Sequence, residues 1–547
     1  MDNHLEKLSE LEVLRWVNPL TLKQWSFKLE DPLIHDSIQV KTFVDIICRT
    51  AAGYQDLGIQ KGDRVILFVT MSVQMYTAMF ALQRIGAIPV FLDSWARHSH
   101  LGISARIVSP SAMISFEKAF ELCAAVPELA QIPIKISVGP TTKNYTARSE
   151  ELLKTGRYAD VAPVEQEHTA LITFTTGSSG NPKGADRSHR FLFAQHYALD
   201  RCIPYFESDR DLPVFPIFSL NNIAAGVGTV IPAFDIGTPG EQDPLILLAQ
   251  LKSAKVTCTT LSPSLFNRLS EYCIKEKIQL DFLSRVVTGG APVSRDNLVD
   301  FKKIAPRAEI LVLFGSTEVE PMAHIEAGEM IAFKSPASED PEWVDEGVNV
   351  GHMTDELQYR FLKIQKESII IRNPSDWKEL EVLFGEVGEL IVAGEHVCRN
   401  YYNDEEAFSR AKIRDENGIV WHRTGDLGRI DESGYLWIVG RVHNAIQRAG
   451  KYSFPVRAEM ILKKIPSVNL AAFLGVPDPV LGEKTVCVVT LHSPNVNIEA
   501  DIRRIMTKNA MTVDQVLTLD NIPMDPRHHS KVEYDSLRKT LIEQALV

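Results

Sequence analysis

Residues 170–189 read Ala-Leu-Ile-Thr-Phe-Thr-Thr-Gly-Ser-Ser-Gly-Asn-Pro-Lys-Gly-Ala-Asp-Arg-Ser-His, and their types suit chemistry on phosphate. An apolar run of β type leads into a Thr/Ser/Gly loop, and Pro182, Lys183 and Gly184 follow it. Gly177, Gly180 and Gly184 let the backbone turn and approach an anion closely. Hydroxyls from Thr175, Thr176, Ser178 and Ser179 donate hydrogen bonds, and Lys183 adds a point charge. No Gly-Lys-Ser/Thr closes the loop at P-loop spacing, and it is not GxGxxG. A Ser/Gly-rich stretch alone would also suit a flexible linker. The Thr-rich strand leading in and the Pro-Lys-Gly following it favour phosphate.

The elements that must position this loop alternate in type. Residues 43–57 are periodic at helical spacing, Gly62 and Asp63 turn, 64–70 form a buried strand, 72–85 are helical again, and 87–92 extend. Strand, helix, strand in units of this size predicts parallel sheets with crossover helices, an α/β fold. After Gly388 the texture changes: 390–397, 419–422 and 435–439 are short strands parted by Gly and Asp turns, predicting a β-rich subdomain at about residues 385–440. From Val442 charged residues surround Gly450 and Pro455, which marks a hinge ahead of a compact terminal domain.

Composition narrows the class. The 547 residues exceed what one hydrophobic core serves, and a hydrophobic content of 45% supplies several cores. Apolar runs such as 85–92 stay far below the roughly 18 residues that cross a bilayer, and the charged start Met-Asp-Asn-His-Leu-Glu-Lys does not suit a signal peptide. No transmembrane segment and a cytoplasmic location are therefore expected. Seven scattered cysteines without a CxxC pair suggest neither a disulfide framework nor a zinc site. A net charge of −12 argues against nonspecific nucleic-acid binding.

Several further stretches make the chain recognisable. Phe314-Gly315-Ser316-Thr317-Glu318, Gly385-Glu386-Val387-Gly388-Glu389-Leu390, Arg423-Thr424-Gly425-Asp426, Gly440-Arg441, Val476-Pro477-Asp478-Pro479 and Gly482-Glu483 follow the phosphate-type loop. In type and order they resemble the motifs of the adenylate-forming superfamily, which contains acyl-CoA synthetases, peptide-synthetase adenylation domains and luciferases. The resemblance runs from about residue 55 to residue 538. It implies a large domain at 1–440, with parallel-type sheets and the β-rich subdomain, and a small mobile C-terminal α+β domain at 441–547 that carries a catalytic lysine.

The activity it implies is carboxylate activation with ATP and Mg²⁺. The carboxylate attacks the α-phosphate, pyrophosphate leaves, and catalysis is positioning plus charge neutralisation. By resemblance, Thr175 through Lys183 take the β- and γ-phosphates, Glu318 the Mg²⁺, and Thr317 lies beside the α-phosphate. Gly289, Gly290 and Ala291 border adenine and the start of the acyl chain; Phe314, with Gly315 and Ser316 beside it, offers adenine an aromatic face. Asp426, in a Thr-Gly-Asp turn, pairs the ribose hydroxyls and Arg441 approaches the same ribose. Lys531, with Ser530 where the family has Gly, reaches the carboxylate and α-phosphate. Phe218, Ser219, Asn221 and Asn222 border the acyl pocket, and Gly226, Gly228 and Gly289 either open a tunnel for a fatty chain or serve helix packing.

Departures from the pattern bear on the second half-reaction. The hinge position holds His443 where the family has an acidic residue, with Asn444 and Gln447 after it. Transfer to CoA or to a pantetheine carrier protein acting in trans is the first expectation. His529-Ser530-Lys531 and the Ala-Pro-Val after the Gly pair are also similar to olefin β-lactone synthetases, which let the hydroxyl of a β-hydroxy acid displace AMP. A silent adenylate-binding scaffold is disfavoured by the retained Lys183, Glu318, Asp426, Arg441 and Lys531. No Asp stands where an amino-acid ammonium would bind, which points away from amino-acid substrates.

Overall fold

Helices form where apolar residues recur on one face and a cap satisfies the first turn. Val40–Asp56 buries Val40, Phe43, Val44, Ile47 and Ala51 along such a face. Val73–Arg84 begins at Ser72, whose hydroxyl accepts the Met75 N–H at 3.2 Å. His189–Cys202 and Pro263–Lys275 begin the same way at Ser188 and Ser262. Strands such as Arg64–Phe68 and Ala112–Ser115 are short and buried on both faces, as parallel strands covered by crossover helices must be.

The computed structural model describes residues 6–92, 98–176, 181–333, 340, 342–493, 498–524 and 532–547. The chain divides into two units, one of Met1–Gly290, Asp296–Met322 and Gly394–Lys412, the other of Ala291–Arg295, Ala323–Ala393 and Ile413–Val547. Among the described residues no helix is long and apolar enough to cross a membrane. None of the seven cysteines is in a disulfide, and all but Cys202 are buried.

The first unit holds an eight-stranded sheet in the order Asn400–Tyr401, Pro182–Ser188, Thr169–Thr176, Ile88–Phe91, Arg64–Phe68, Ala112–Ser115, Ile134–Ser137, Ala147–Arg148. From Thr169–Thr176 onward neighbours are parallel. Thr169–Thr176 and Pro182–Ser188 form an antiparallel hairpin with Thr175 opposite Lys183, and Asn400–Tyr401 adds antiparallel, Tyr401 opposite Ala185. A second sheet runs Glu309–Ser316, Arg285–Gly289, Cys258–Leu261, Arg210–Pro213, Gly228–Val230, Glu12–Trp16, all parallel, with Asp36–Gln39 antiparallel at its edge. The α/β class expected from the alternating pattern is the one observed.

The second unit is β-rich at first, an antiparallel sheet ordered Val348–Asn349, Leu436–Arg441, Val420–Ile430, Gly388–Ala393, Gln358–Leu362. An α+β part follows, in which Val468–Asp478 and Gly482–Leu491 pair antiparallel beside Pro455–Lys463, Glu499–Lys508 and Tyr534–Glu543. Its core gathers Ile461, Phe473, Val489 and Ile502.

One expectation is corrected. Thr424, Gly425 and Asp426 do not turn the chain; they lie within the strand Val420–Ile430. Glu389 is opposite Leu427 and Ile391 opposite Arg423, so these three residues face Leu390 alone, as a bulge. Gly425 takes φ +71°, which a side chain would resist. Flanking interactions hold the bulge. The Thr424 hydroxyl donates to the Leu390 carbonyl at 2.7 Å and accepts the Asp426 N–H at 3.0 Å. Arg423 meets Glu389 at 2.6 Å and donates to the carbonyls of Glu367 and Gln365 at 2.6 and 2.7 Å, with the two charged side chains only 6% and 2% exposed.

Removing one partner from a buried pair strands the other charge, at a cost of about 3–5 kcal/mol. Arg423→Ala is expected to lower the unfolding temperature and denaturant midpoint accordingly, while joint replacement of Arg423 and Glu389 by apolar residues of similar volume recovers much of the loss. A single variant as stable as the wild type in denaturant melts would show that the pair does not hold the bulge.

Candidate functional site

Neighbouring parallel strands of the first unit end side by side at Gly289 and at Phe314, Gly315 and Ser316, the edge where open α/β sheets place ligands. A Cβ on Gly289 would stand 2.2 Å from the Leu313 carbonyl oxygen, so the approach of these strands admits only glycine there. Gly290, at φ +85°, turns the chain away, and Ala291 begins a short stretch belonging to the second unit. Thr317 and Glu318 form the turn into the strand Val319–Glu326. Arg187, buried, pins this turn by donating from Nη2 to the Thr317 carbonyl at 2.6 Å.

Glu318 is oriented by a residue that the spacing of motifs does not reveal. The Tyr401 hydroxyl, 83 positions away, donates to Glu318 Oε1 at 2.8 Å. Tyr401 is there because its strand pairs with Pro182–Ser188, the strand that carries Lys183. The Lys183 and Lys412 ammonium groups lie 5.7 and 5.1 Å from the Tyr401 ring centroid, within cation–π range. Lys412 is buried and donates to the Cys398 carbonyl. Burial holds both lysines below the ordinary lysine range, against the opposing pull of Glu318. The Tyr401 phenol is held well above its ordinary value, chiefly by burial and then by Glu318. Pairing across strands distant in sequence brings Tyr401, Lys412 and Arg187 in, and no local pattern marks them.

Half-buried Thr175 stands opposite Lys183 at the root of the hairpin, and Thr176 opposite Pro182. Gly177, Ser178, Ser179, Gly180 and Lys531 lie outside the described residues. The donor set fits the groups that carboxylate activation requires. Two ammonium groups and a run of hydroxyls suit polyphosphate, and a carboxylate suits Mg²⁺, which takes one or two carboxylates and completes its shell with phosphate and water oxygens. The buried Ser316 hydroxyl has no hydrogen-bond partner among the described residues.

In the second unit, Asp426 and Arg441 are cross-strand partners, Arg441 Nη1 donating to Asp426 Oδ1 at 2.9 Å. The Asp426 side chain is 9% exposed and that of Arg441 47% exposed, so the carboxylate is nearly buried and the guanidinium that meets it lies on the solvent side. His443, also exposed, lies in the turn Val442–Asn444 directly after this pair.

Phe218, Ser219, Asn221 and Asn222 all sit on the first-unit helix Pro216–Ala225 and are buried. Asn222 Nδ2 donates to Asp211 Oδ2 at 2.9 Å, and the Tyr205 hydroxyl meets the same oxygen at 2.8 Å. Burial pushes the Asp211 carboxyl up to about 6 despite these bonds. Asn221 Oδ1 meets His196 Nδ1 at 2.8 Å. Gly226 ends this helix at φ +74°, and Gly228 runs beneath the Glu12 carbonyl, so each has a packing reason of its own.

The AMP-binding enzyme family matches residues 37–402. The olefin beta-lactone synthetase of Stenotrophomonas maltophilia is 29% identical over 89% of this chain and 88% of its own length. The putative acyl–CoA ligase YdaB of Bacillus subtilis is 26% identical over 89% and 90%. The O-succinylbenzoate coenzyme A synthetase of Bacillus subtilis, solved with AMP, superposes with a TM-score of 0.76 over 99% of this chain and 97% of its own, at 16% identity, a likeness of fold. The chain belongs to the AMP-binding enzyme family and is an ATP- and Mg²⁺-dependent ligase that forms acyl-adenylates.

Proposed function

We propose that this enzyme activates a fatty or related acyl acid as its adenylate and passes the acyl group to the thiol of CoA or of a pantetheine carrier protein acting in trans. The single observation that carries the reading is the first-unit cluster, where the Tyr401 hydroxyl orients Glu318 and the Tyr401 ring lies within cation–π range of Lys183 and Lys412. Thr175, Thr176, Gly177, Ser178, Ser179, Gly180 and Lys183 hold the β- and γ-phosphates. Glu318 would hold Mg²⁺, which would supply positive charge toward the phosphoryl oxygens. Thr317 lies at the α-phosphate; Gly289, Gly290, Ala291 and Phe314 border adenine; Asp426 accepts from the ribose hydroxyls with Arg441 fixing its carboxylate. Lys531 neutralises the acid's carboxylate as it attacks. Residues 441–547 turn as a body about His443 between the two half-reactions. A cytoplasmic setting, where ATP and CoA are at hand, completes the reading.

A second reading is favoured by the 29% identical olefin beta-lactone synthetase: the substrate's own hydroxyl displaces AMP and no thiol is used. Pyrophosphate release over plain, 3-hydroxy and aryl acids, with and without CoA, separates the readings. Thioester formed only with CoA supports the first; AMP and a lactone formed without a thiol support the second. No pyrophosphate from any acid would remove both.

Three variants test the roles. Lys531→Ala is expected to slow ATP/pyrophosphate exchange by about 10² to 10³ with ATP binding nearly intact, since its charge matters most in the transition state. Exchange at wild-type speed would place Lys531 outside the site. Tyr401→Phe removes a hydrogen bond to a charged group, about 1.5–3 kcal/mol, and should weaken the dependence of exchange on Mg²⁺-ATP by roughly tenfold or more; an unchanged Mg²⁺ titration would show that Tyr401 does not orient a metal ligand. His443→Pro fixes φ and removes a backbone donor, so single-turnover assays should show acyl-AMP accumulating ahead of a stalled thioester. Equal loss of both half-reactions would contradict the hinge.

A further inference from the structure

Residues 342–346 have no part in the proposed phosphate, metal or acyl roles, yet they are seated inside the α+β part of the second unit. The chain lies on the β-rich part at Phe333, whose ring meets those of Tyr435 and Trp437 at 5.2 and 5.5 Å. It is there again at Val348 and Asn349, which pair with Ile438 and Trp437. Between these points Val344, 2% exposed, joins the apolar core of Ile446, Ile461 and Ile502. Asn509, wholly buried, donates Nδ2 to the Glu342 carbonyl at 2.9 Å and accepts the Val344 N–H on Oδ1 at 2.9 Å. Buried Arg457 donates from Nε to the Val344 carbonyl at 2.9 Å, its guanidinium 5.2 Å from the Trp343 ring centroid. On the outside, Arg504 and Lys508 meet Glu342 at 2.9 and 2.8 Å.

These contacts differ in weight. The ion pairs are partly exposed, and solvent leaves such pairs little holding power. The buried contacts decide. Withdrawing the segment would open a hole at Val344 and leave the Asn509 amide and the Arg457 Nε–H buried without the backbone groups they bond, so a movement of the α+β part carries residues 342–346 with it. The chain can turn just beyond them. Gly347 takes φ +116°, and a Cβ there would stand 2.7 Å from the Ile438 carbonyl oxygen and 3.0 Å from Val439 Cγ1, so glycine alone serves. Since Gly347 lies against Ile438 and Val439, and Val442–Asn444 follow Arg441 on that same strand, the chain crosses to the α+β part at two neighbouring points. Upstream, the length of residues 334–339 can span up to about 20 Å and so follow a turn. One crossing would let the α+β part swivel in any direction. Two confine it to rotation about the line through both.

We propose that Gly347 is a second hinge beside Val442–Asn444, and that the body which turns between the half-reactions is residues 342–346 together with 441–547. This rests on the hinge reading above and adds to it the axis of turning. Val344, Arg457 and Asn509 are positioning residues, which couple the segment to the body that turns.

The test uses two cross-links in the full chain, with ATP, Mg²⁺, CoA and an acid that the wild type turns over. Glu342→Cys with Lys508→Cys, joined by a short bifunctional thiol reagent, ties the segment to the α+β part. Lys366→Cys with Asp535→Cys, at two exposed positions whose charges both act on His443, ties the α+β part to the β-rich part. Wild type treated with the reagent, and each pair left unlinked, control for the native cysteines and for folding. In single turnovers the first link should leave acyl-AMP formation and onward transfer within about twofold of the unlinked pair, because it joins groups that move together. The second should slow onward transfer by roughly a hundredfold, the effect of misplacing a catalytic group, while acyl-AMP accumulates. Transfer that stalls under the first link shows that the seat must open; this overturns the inference and leaves the hinge reading standing. Transfer that survives the second link shows that nothing turns, and removes the hinge reading and the inference together. Apart from turnover, the Val344 amide should exchange with solvent as slowly as those of Pro455–Lys463. Exchange at the rate of an exposed loop would overturn the coupling.

Discussion

Two ammonium groups confined in one small volume repel, and the first unit tolerates them because Glu318 supplies the countercharge and Tyr401 the surface between. Lys183 depresses Lys412, while Glu318 raises both. The phenol ring offers each cation a polarised face, and its hydroxyl fixes the carboxylate. Positive charge for a polyphosphate is thereby installed in advance, at a cost in desolvation that Glu318 offsets only in part. Electrostatic preorganisation of this kind is the main catalytic resource when the protein itself does no covalent work.

Much of this was legible in the residues. The helix over 43–57 and the strand over 64–70 emerge within a few residues, as Val40–Asp56 and Arg64–Phe68, because apolar periodicity and local turns decide both. The strands that flank residues 177–180 pair as the apolar run and the Pro-Lys-Gly segment suggest, since that chemistry is written in consecutive residues. Tyr401, Lys412 and Arg187 were not legible, because they meet Glu318 and Thr317 across many positions, Tyr401 through the pairing of its strand with Pro182–Ser188.

The Arg-Thr-Gly-Asp string shows how a motif can be recognised with its geometry misread. Gly beside Asp suggests a turn, but a turn would break the ladder between Gly388–Ala393 and Val420–Ile430. The bulge keeps the ladder and sets the nearly buried Asp426 carboxylate against Arg441 of the neighbouring strand. The four residues act in different ways, since Arg423 locks onto Glu389, Thr424 bridges two backbone groups, Gly425 takes the positive φ, and Asp426 faces Arg441. Glu389 belongs to the Gly-Glu-x-Gly-Glu-Leu string, so two stretches that look independent in sequence are halves of one fastening.

The placement of Asn400–Tyr401 also bears on how the protein is made. The other seven strands of its sheet all precede residue 189, so they can pair while the ribosome is still far from Tyr401. During that interval Pro182–Ser188 is a bare rim whose amides and carbonyls have no neighbour, an invitation to strands from other nascent chains. Synthesis at about 5–20 residues per second leaves it uncovered for something like ten seconds or more. The same late strand both seals that rim and delivers the tyrosine, so a chain truncated shortly before residue 400 would be sticky as well as inactive.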